Sequence, residues 1–148
     1  MKLEKSDYLK YWRAVRQYMK VKNGVSQSDL DIILFLYTEP YFSREKFNEF
    51  NRLLSWDKQR FDKLCREGWI ESYKTVMFGR RKKYGLSYKS MRMINSIYKI
   101  LDGEEIPTTI GVNPMFKKNV KYTDKVYRHF IMEMRKATTR QQRPSPEL

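Results

Sequence analysis

The chain has 148 residues, with 31 Lys or Arg against 17 Asp or Glu and a formal net charge of +14, and its pI is near 9.9. That size suits one domain with a real core, and the charge excess points to an anionic partner: nucleic acid, acidic lipid headgroups or an acidic protein. A lone cysteine, Cys65, excludes an intramolecular disulfide, and the longest apolar run, Ile32 to Tyr37, is too short to span a bilayer.

Ser6 to Lys22 is predicted to be a helix, because Tyr8, Trp12 (with Tyr11), Val15 and Met19 recur at 3.6-residue spacing opposite Lys and Arg. Asn23–Gly24 is a stop signal. Ser26 or Ser28 then offers an N-cap for a short buried helix that ends before Pro40. Ser43 is the expected N-cap of the next helix, with Phe42 packing back on Phe47 as a hydrophobic staple. Ser55 is expected to cap a further helix reaching Glu67, in which Phe61, Leu64 and Cys65 share one face. Gly68 occupies the place of a left-handed cap residue, and Trp69 beyond it can fold back on Leu64.

Trp69 to Phe78 reads as a strand, Gly79 to Lys83 as a turn, and Tyr84 to Leu86 as the returning strand. Ser87 caps another helix, with Met91, Ile94, Ile97, Tyr98 and Leu101 at helical spacing, and Asp102–Gly103 ends it. A loop from Glu104 to Phe116 carries Pro107 and Pro114. A last helix spans about Asn119 to Ala137, with Tyr122, Val126, Phe130 (with Ile131) and Met134 on one face. Residues 138–148 read as a flexible polar tail. The expected fold class is mainly α with a small β-hairpin wing (α+β): one domain over 1–137, a winged helix-turn-helix core over 26–101, and flanking helices over 6–22 and 119–137.

Three short helices followed by a hairpin match the winged helix-turn-helix plan, in which the third helix enters the major groove and the hairpin tip lies along phosphates. The tip carries Arg80, Arg81, Lys82 and Lys83, and no Asp or Glu occurs from Ser72 through Leu101. Such a run is suited to exchanging counterions for phosphates. The competing reading is a solvated polar turn, but four adjacent like charges repel one another and do nothing for folding. On the third helix, a wheel that buries Phe61, Leu64 and Cys65 turns Trp56, Gln59, Lys63 and Arg66 outward, with Arg60 at the flank and Ser55 at the start. Gln, Lys and Arg can read base edges. An ordinary solvated surface explains the same helix, since Lys58–Asp62, Asp62–Arg66 and Lys63–Glu67 are all spaced i,i+4. Both readings stay open here.

The run "SDLDIILFLYTEPYFSREKFNEF", then "LLSWDKQRFDKLCREGWI", then a hairpin and "YGLSYKSMRMINSIY", resembles the MarR-type winged-helix regulators. The resemblance covers roughly Ser26 to Leu101 and extends loosely to the first and last helices. It implies a double-stranded DNA partner and a homodimer made by the first and last helices. One departure is the wing: the family often has an acid–x–arginine element near the tip, and "GRRKK" has no acid. The long loop with Pro107 and Pro114 is another.

Enzyme activity is not expected. His129 is the single histidine, so no His-based dyad or metal cluster can form within one chain, and no Gly-rich phosphate loop or Cys/His ligand spacing occurs. No cofactor and no metal are expected. Cys65 reads as a core thiol, the alternative being a redox sensor. The last helix and tail are rich in bases, including Lys117, Lys118, Lys121, Lys125, Arg128, Arg135, Lys136, Arg140 and Arg143. These would extend a phosphate footprint or dock an acidic protein. Two functions follow. The first is a MarR-like DNA-binding transcriptional regulator. The second is a winged-helix interaction or structural module in a phage particle or nucleoprotein assembly, binding acidic proteins or nucleic acid without sequence preference. The opening residues lack the apolar core of a signal peptide. The expected place is the cytoplasm, or the host cytoplasm or virion if the source is viral, with no membrane partner.

Overall fold

A computed structural model describes the backbone at residues 5–78 and 81–142, and the side chains at 8–73 and 82–136. The elements are α1 (Lys5–Asn23), α2 (Gln27–Leu36), α3 (Arg44–Leu54), α4 (Arg60–Arg66), β1 (Ile70–Phe78), β2 (Arg81–Leu86), α5 (Tyr88–Leu101), a 3-10 turn (Pro114–Phe116) and α6 (Tyr122–Gln142). The chain divides into two units, residues 26–94 and residues 1–25 with 95–148. Among the described residues no helix is long and apolar enough to cross a membrane.

In the 26–94 unit the helix starts follow the capping chemistry. Ser26 Oγ accepts the Asp29 N–H at 3.2 Å and Ser43 Oγ accepts the Lys46 N–H at 3.1 Å. Each such cap stabilises its helix by about 1 kcal/mol. Phe42 lies on Phe47, ring centroids 6.2 Å apart, as the staple requires. Phe47 also meets Phe61 at 5.1 Å, and Phe61 meets Tyr84 at 4.9 Å, so an aromatic core joins α3, α4 and β2. Leu30, Ile33, Leu36 and Leu64 are fully buried around it.

The start of α4 differs from expectation. Ser55 is not an N-cap; it closes α3 in the left-handed conformation (φ 56°, ψ 38°), its N–H bonded to the Asn51 carbonyl. The cause is Asp57. Its Oδ1 accepts the Gln59 N–H at 2.9 Å and its carbonyl accepts the Arg60 N–H at 3.0 Å. That carboxylate-stabilised turn delays the helix to Arg60, because an Asp side chain holds such a turn more strongly than a serine hydroxyl does. The other end of α4 is as read. Gly68 adopts φ 83°, its N–H reaches Cys65 O at 3.1 Å, and the Trp69 N–H reaches Leu64 O at 2.9 Å. This is the complete Schellman pair of bonds.

Trp69 is 1% exposed, and three neighbours use its groups. Its carbonyl accepts from Ser87 N at 3.0 Å and Ser90 Oγ at 2.7 Å, and the Lys89 ammonium sits 3.8 Å from its ring centroid. Ser87 caps α5 through the Ser90 N–H, at 3.2 Å.

The hairpin is antiparallel, pairing Ile70 with Leu86 through Tyr73 with Lys83, then Met77 with Lys82 and Phe78 with Arg81 after a register shift. Arg81, Lys82 and Lys83 therefore belong to β2 and not to a turn, because strand pairing persists past the expected limit at Tyr84. Gly79 and Arg80 lie outside the described residues. Phe42 bridges Tyr84 with bonds of 2.9 and 2.8 Å, and so ties the entry to α3 onto the wing. Gly85 is required by this packing, since a Cβ there would lie 2.7 Å from the Tyr73 ring and 2.9 Å from the Pro40 carbonyl.

In the other unit, α1 buries Tyr11, Ala14, Val15, Tyr18 and Met19, and Trp12 is half-buried. Tyr11 meets Phe130 of α6 at 5.9 Å, and Gln17 donates to Asp124 at 2.9 Å. Gly24 ends α1 with φ 63°. The proline-bearing connection is organised by Asn113, which is fully buried. Its amide donates to Pro107 O at 2.8 Å and accepts the Met115 N–H at 3.1 Å. The last helix begins at Tyr122, later than the expected Asn119, and continues to Gln142, beyond the expected end at Ala137. Its buried strip is narrower than the apolar strip of the sequence. Ile131 and Met134 are buried, Phe130 is half-buried, and Tyr122 and Val126 are 81% and 48% exposed.

Candidate nucleic-acid interface

The expected reading helix contributes Gln59, Arg60, Lys63 and Arg66 to one open cleft of about 510 Å³, together with Asp57 and Asp62. Gln59 and Arg66 are exposed, Arg60 and Lys63 half-buried. The reason for the difference is Asp29 on α2, which is 1% exposed. Its Oδ1 accepts from the Arg60 guanidinium at 2.7 Å and its Oδ2 from the Lys63 ammonium at 2.8 Å. Burial alone would push this carboxyl up, but the hydrogen bonds from Lys63 and Arg60 and their charges outweigh it and hold it below its ordinary value. Asp29 thus fixes two basic side chains and cancels part of their charge. Asp62 is likewise engaged, with Arg44 of α3 at 3.1 Å, and not in the i,i+4 pairs its spacing suggests.

Two sequence-predicted residues are not brought into this cleft. Trp56 faces inward: its ring lies 5.4 Å from both Phe35 and Phe47 and 6.3 Å from Phe50. A helical wheel places it outward only when the helix starts at Ser55. Ser55 itself caps α3 and precedes α4 by a turn.

On the wing, Lys82 is exposed and Lys83 half-buried, and as consecutive strand residues they project to opposite faces. The Lys83 ammonium lies 4.9 Å from the centroid of Tyr41, which in turn meets Tyr73 edge-on at 5.4 Å. Arg81 is in β2, its side chain outside those described, and Arg80 is outside the described residues altogether. Sequence reasoning misses Asp29, Asp57 and Tyr41. The signal for Asp29 is present as an acid just inside a helix start, where it reads as part of a capping box.

Cys65 is half-buried. Burial pushes its thiol up, the Asp62 carboxylate pushes it further, and Arg44 opposes them. The group is therefore a poor thiolate. His129 is exposed on α6.

Element order, helix-turn-helix, hairpin and flanking helices together define a winged helix-turn-helix fold. No family model and no curated protein matches the chain. Solved structures to which it is similar include a cysteine-to-serine mutant of MarR from E. coli complexed with operator DNA, at 12% identity over 87% of each chain with TM-score 0.43. Another is AbfR of Staphylococcus epidermidis, at 11% identity over 92% of this chain and 86% of that one, TM-score 0.42. A third is a MarR transcriptional regulator from Methanosarcina mazei Go1, at 16% identity over 95% and 94%, TM-score 0.41.

Proposed function

We propose that the chain is a double-stranded DNA-binding transcriptional regulator of the MarR-like winged-helix type. The observation that carries this reading is the α3–turn–α4 pair followed at once by a hairpin whose returning strand opens with Arg81, Lys82 and Lys83. In this reading Gln59, Arg60, Lys63 and Arg66 face the major groove, and the wing bases lie on phosphates. Asp29 is the residue that orients Arg60 and Lys63 for that task. Two copies associate through α1 and α6, where Leu9, Tyr122 and Val126 are exposed apolar residues at 84%, 81% and 48%. An apolar surface of this kind suits a protein partner.

A second reading has its own support. Residues 26–94 hold 14 basic and 9 acidic side chains, and the remainder of the chain holds 17 basic and 8 acidic, so most of the net charge lies outside the winged helix. That distribution favours an interaction or structural module of a phage particle or nucleoprotein assembly, binding acidic protein surfaces or nucleic acid without sequence preference.

The deciding experiment is selection of genomic fragments by the purified chain, followed by affinities for the best and a scrambled duplex at several salt concentrations, with the mass in solution measured alongside. A near-palindrome preferred at physiological salt by a homodimer supports the regulator. Weak binding that is steeply salt-dependent and indifferent to sequence overturns it in favour of the module.

A further inference from the structure

A second basic surface lies in the unit made of residues 1–25 and 95–148. From Ile106 to Met132 the chain carries five bases, Lys117, Lys118, Lys121, Lys125 and Arg128, against one acid, Asp124. Local structure draws the five together. The Lys121 carbonyl accepts the Lys125 N–H at 3.1 Å, so these two stand one turn apart at the start of α6, and Arg128 follows a turn later on the same face. The Arg128 guanidinium donates to the Lys117 carbonyl at 3.5 Å and lies 5.9 Å from the Phe116 ring centroid. These contacts tie the segment holding Lys117 and Lys118 to that face.

The four lysines are exposed, and among the described residues no carboxylate pairs with them. Asp124 is engaged by the Gln17 amide of α1, at 2.9 Å. The placement opposes folding, since like charges one turn apart repel and positive charge at a helix start runs against the helix dipole. A cluster held against that penalty is suited to an anion from outside the chain. A lipid surface would take up an apolar helix face, but that of α6 is packed within the unit through Ile131, Met134 and the contact of Phe130 with Tyr11. Protein interfaces are poor in lysine, whose ammonium loses its water there. A phosphate backbone leaves the lysines hydrated and gains from each counterion released. From Lys121 to Arg128 the helix rises about 10 Å, the length of about three phosphates along one strand of a duplex.

We propose that Lys117, Lys118, Lys121, Lys125 and Arg128 form a second contact with the phosphate backbone of double-stranded DNA, made by residues outside α4 and the wing. The proposal rests on the reading of the chain as a duplex-binding protein and gives α6 a part in it. Contacts to phosphate carry no sequence information, so this surface strengthens binding to any duplex and leaves the choice of site to α4. Tyr122 and Val126, each one residue on from a lysine of the cluster, are turned about 100° away around the helix and remain for the contact between copies.

The test is fluorescence anisotropy of the full chain on labelled best and scrambled duplexes over a salt series. The wild-type chain is compared with a variant in which Lys117, Lys118, Lys121 and Lys125 are all replaced by Gln. A control replaces four lysines elsewhere in the same unit, Lys10, Lys20, Lys22 and Lys99, and a further variant combines Lys82→Gln with Lys83→Gln. The α6 variant is expected to bind both duplexes more weakly with the preference between them unchanged. Its salt slope falls by up to about 3.6, at about 0.9 for each phosphate lost. Its unliganded melting temperature is unchanged or higher, and the control loses less slope. An unchanged slope, or a loss that the control matches, overturns the proposal. So does a variant that keeps its duplex affinity but loses binding to phosphatidylserine vesicles or to polyglutamate, which assigns the lysines to a lipid or an acidic protein. If the α6 variant does not fold, Lys117→Gln with Lys118→Gln, both before the helix, decides by the same criteria, with an expected fall of up to about 1.8. A slope lowered only by the wing variant sinks this contact and leaves the duplex reading standing, whereas a wild-type chain that binds no duplex removes both.

Discussion

Replacing Asp29 with Asn preserves the size of the side chain and removes the charge that faces Arg60 and Lys63. The carboxylate accepts bonds of 2.7 and 2.8 Å at 1% exposure. Removing one member of a buried pair costs about 3–5 kcal/mol when the survivor is trapped. Here the survivors are 23% and 36% exposed and can turn to water, and the amide oxygen keeps one bond. The expected loss is about 2–3 kcal/mol, a fall of about 5–10 °C in Tm for a chain of this size. The Asp29 pKa is lowered in the folded chain. Its contribution is therefore full above the ordinary Asp value of about 3.9 and is lost as pH falls through the folded value. Circular-dichroism melts of both chains should differ fully at pH 7 and converge in acid below about pH 4. Duplex binding should move the other way. With Arg60 and Lys63 released, affinity for scrambled DNA rises, and the salt slope steepens by up to about 0.9 for each additional phosphate neutralised. Equal melting temperatures at pH 7, or a gap that persists undiminished at pH 3, would refute the assignment of Asp29 as a charged clamp.

Ser55→Gly should raise stability by about 0.5–1 kcal/mol, because glycine accepts the left-handed backbone that serine adopts at some strain; an N-cap serine would respond with a loss, so a lower Tm sinks the description of the α3–α4 turn. Neutralising Lys82 and Lys83 to Gln should weaken binding to best and scrambled duplexes alike and flatten the salt slope by up to about 0.9 per phosphate released, and an unchanged slope removes the wing from the interface. Gln59→Ala with Arg66→Ala should instead cut the preference for the best duplex, whereas equal losses on both duplexes deny these residues a base-reading role. Cys65 should react with a thiol reagent at pH 7 more slowly than a cysteine in an unfolded peptide, and faster reaction contradicts its burial beside Asp62.

Local rules reach furthest where one residue decides the outcome. Ser26, Ser43 and Ser87 cap helices, and Gly24 and Gly68 end them, because cap and left-handed positions depend on neighbours within a few residues. Ser55 reads wrongly as an N-cap because Asp57, two residues on, competes for the same role, and serine serves both caps and turns. Periodicity locates α6 but not its buried side. Tyr122 and Val126 fit the apolar strip, yet the strip is wider than the surface that receives it. Asp29 is illegible for a different reason. Its partners lie 31 and 34 positions away, and no spacing rule reports a bond made by packing α2 against α4. The same holds for Lys83 over Tyr41, which depends on the bridge between Phe42 and Tyr84.

Trp69 has a mechanical consequence. Its N–H is bonded to the last turn of α4, its carbonyl receives two bonds from the first turn of α5, and Lys89 adds a bond to the Glu67 carbonyl at 3.1 Å. A single residue thus rivets the end of one helix to the start of another, with the hairpin looping out between them. A force that tilts α4 is delivered to Ser87 and Ser90 without passing along the hairpin. The hairpin has its own anchor in the Phe42–Tyr84 bridge, while α4 and the opening turn of α5 respond as one stiff joint. The amides of Gly68, Trp69 and Ser90 should accordingly exchange with solvent together, and more slowly than those at the far end of the strands.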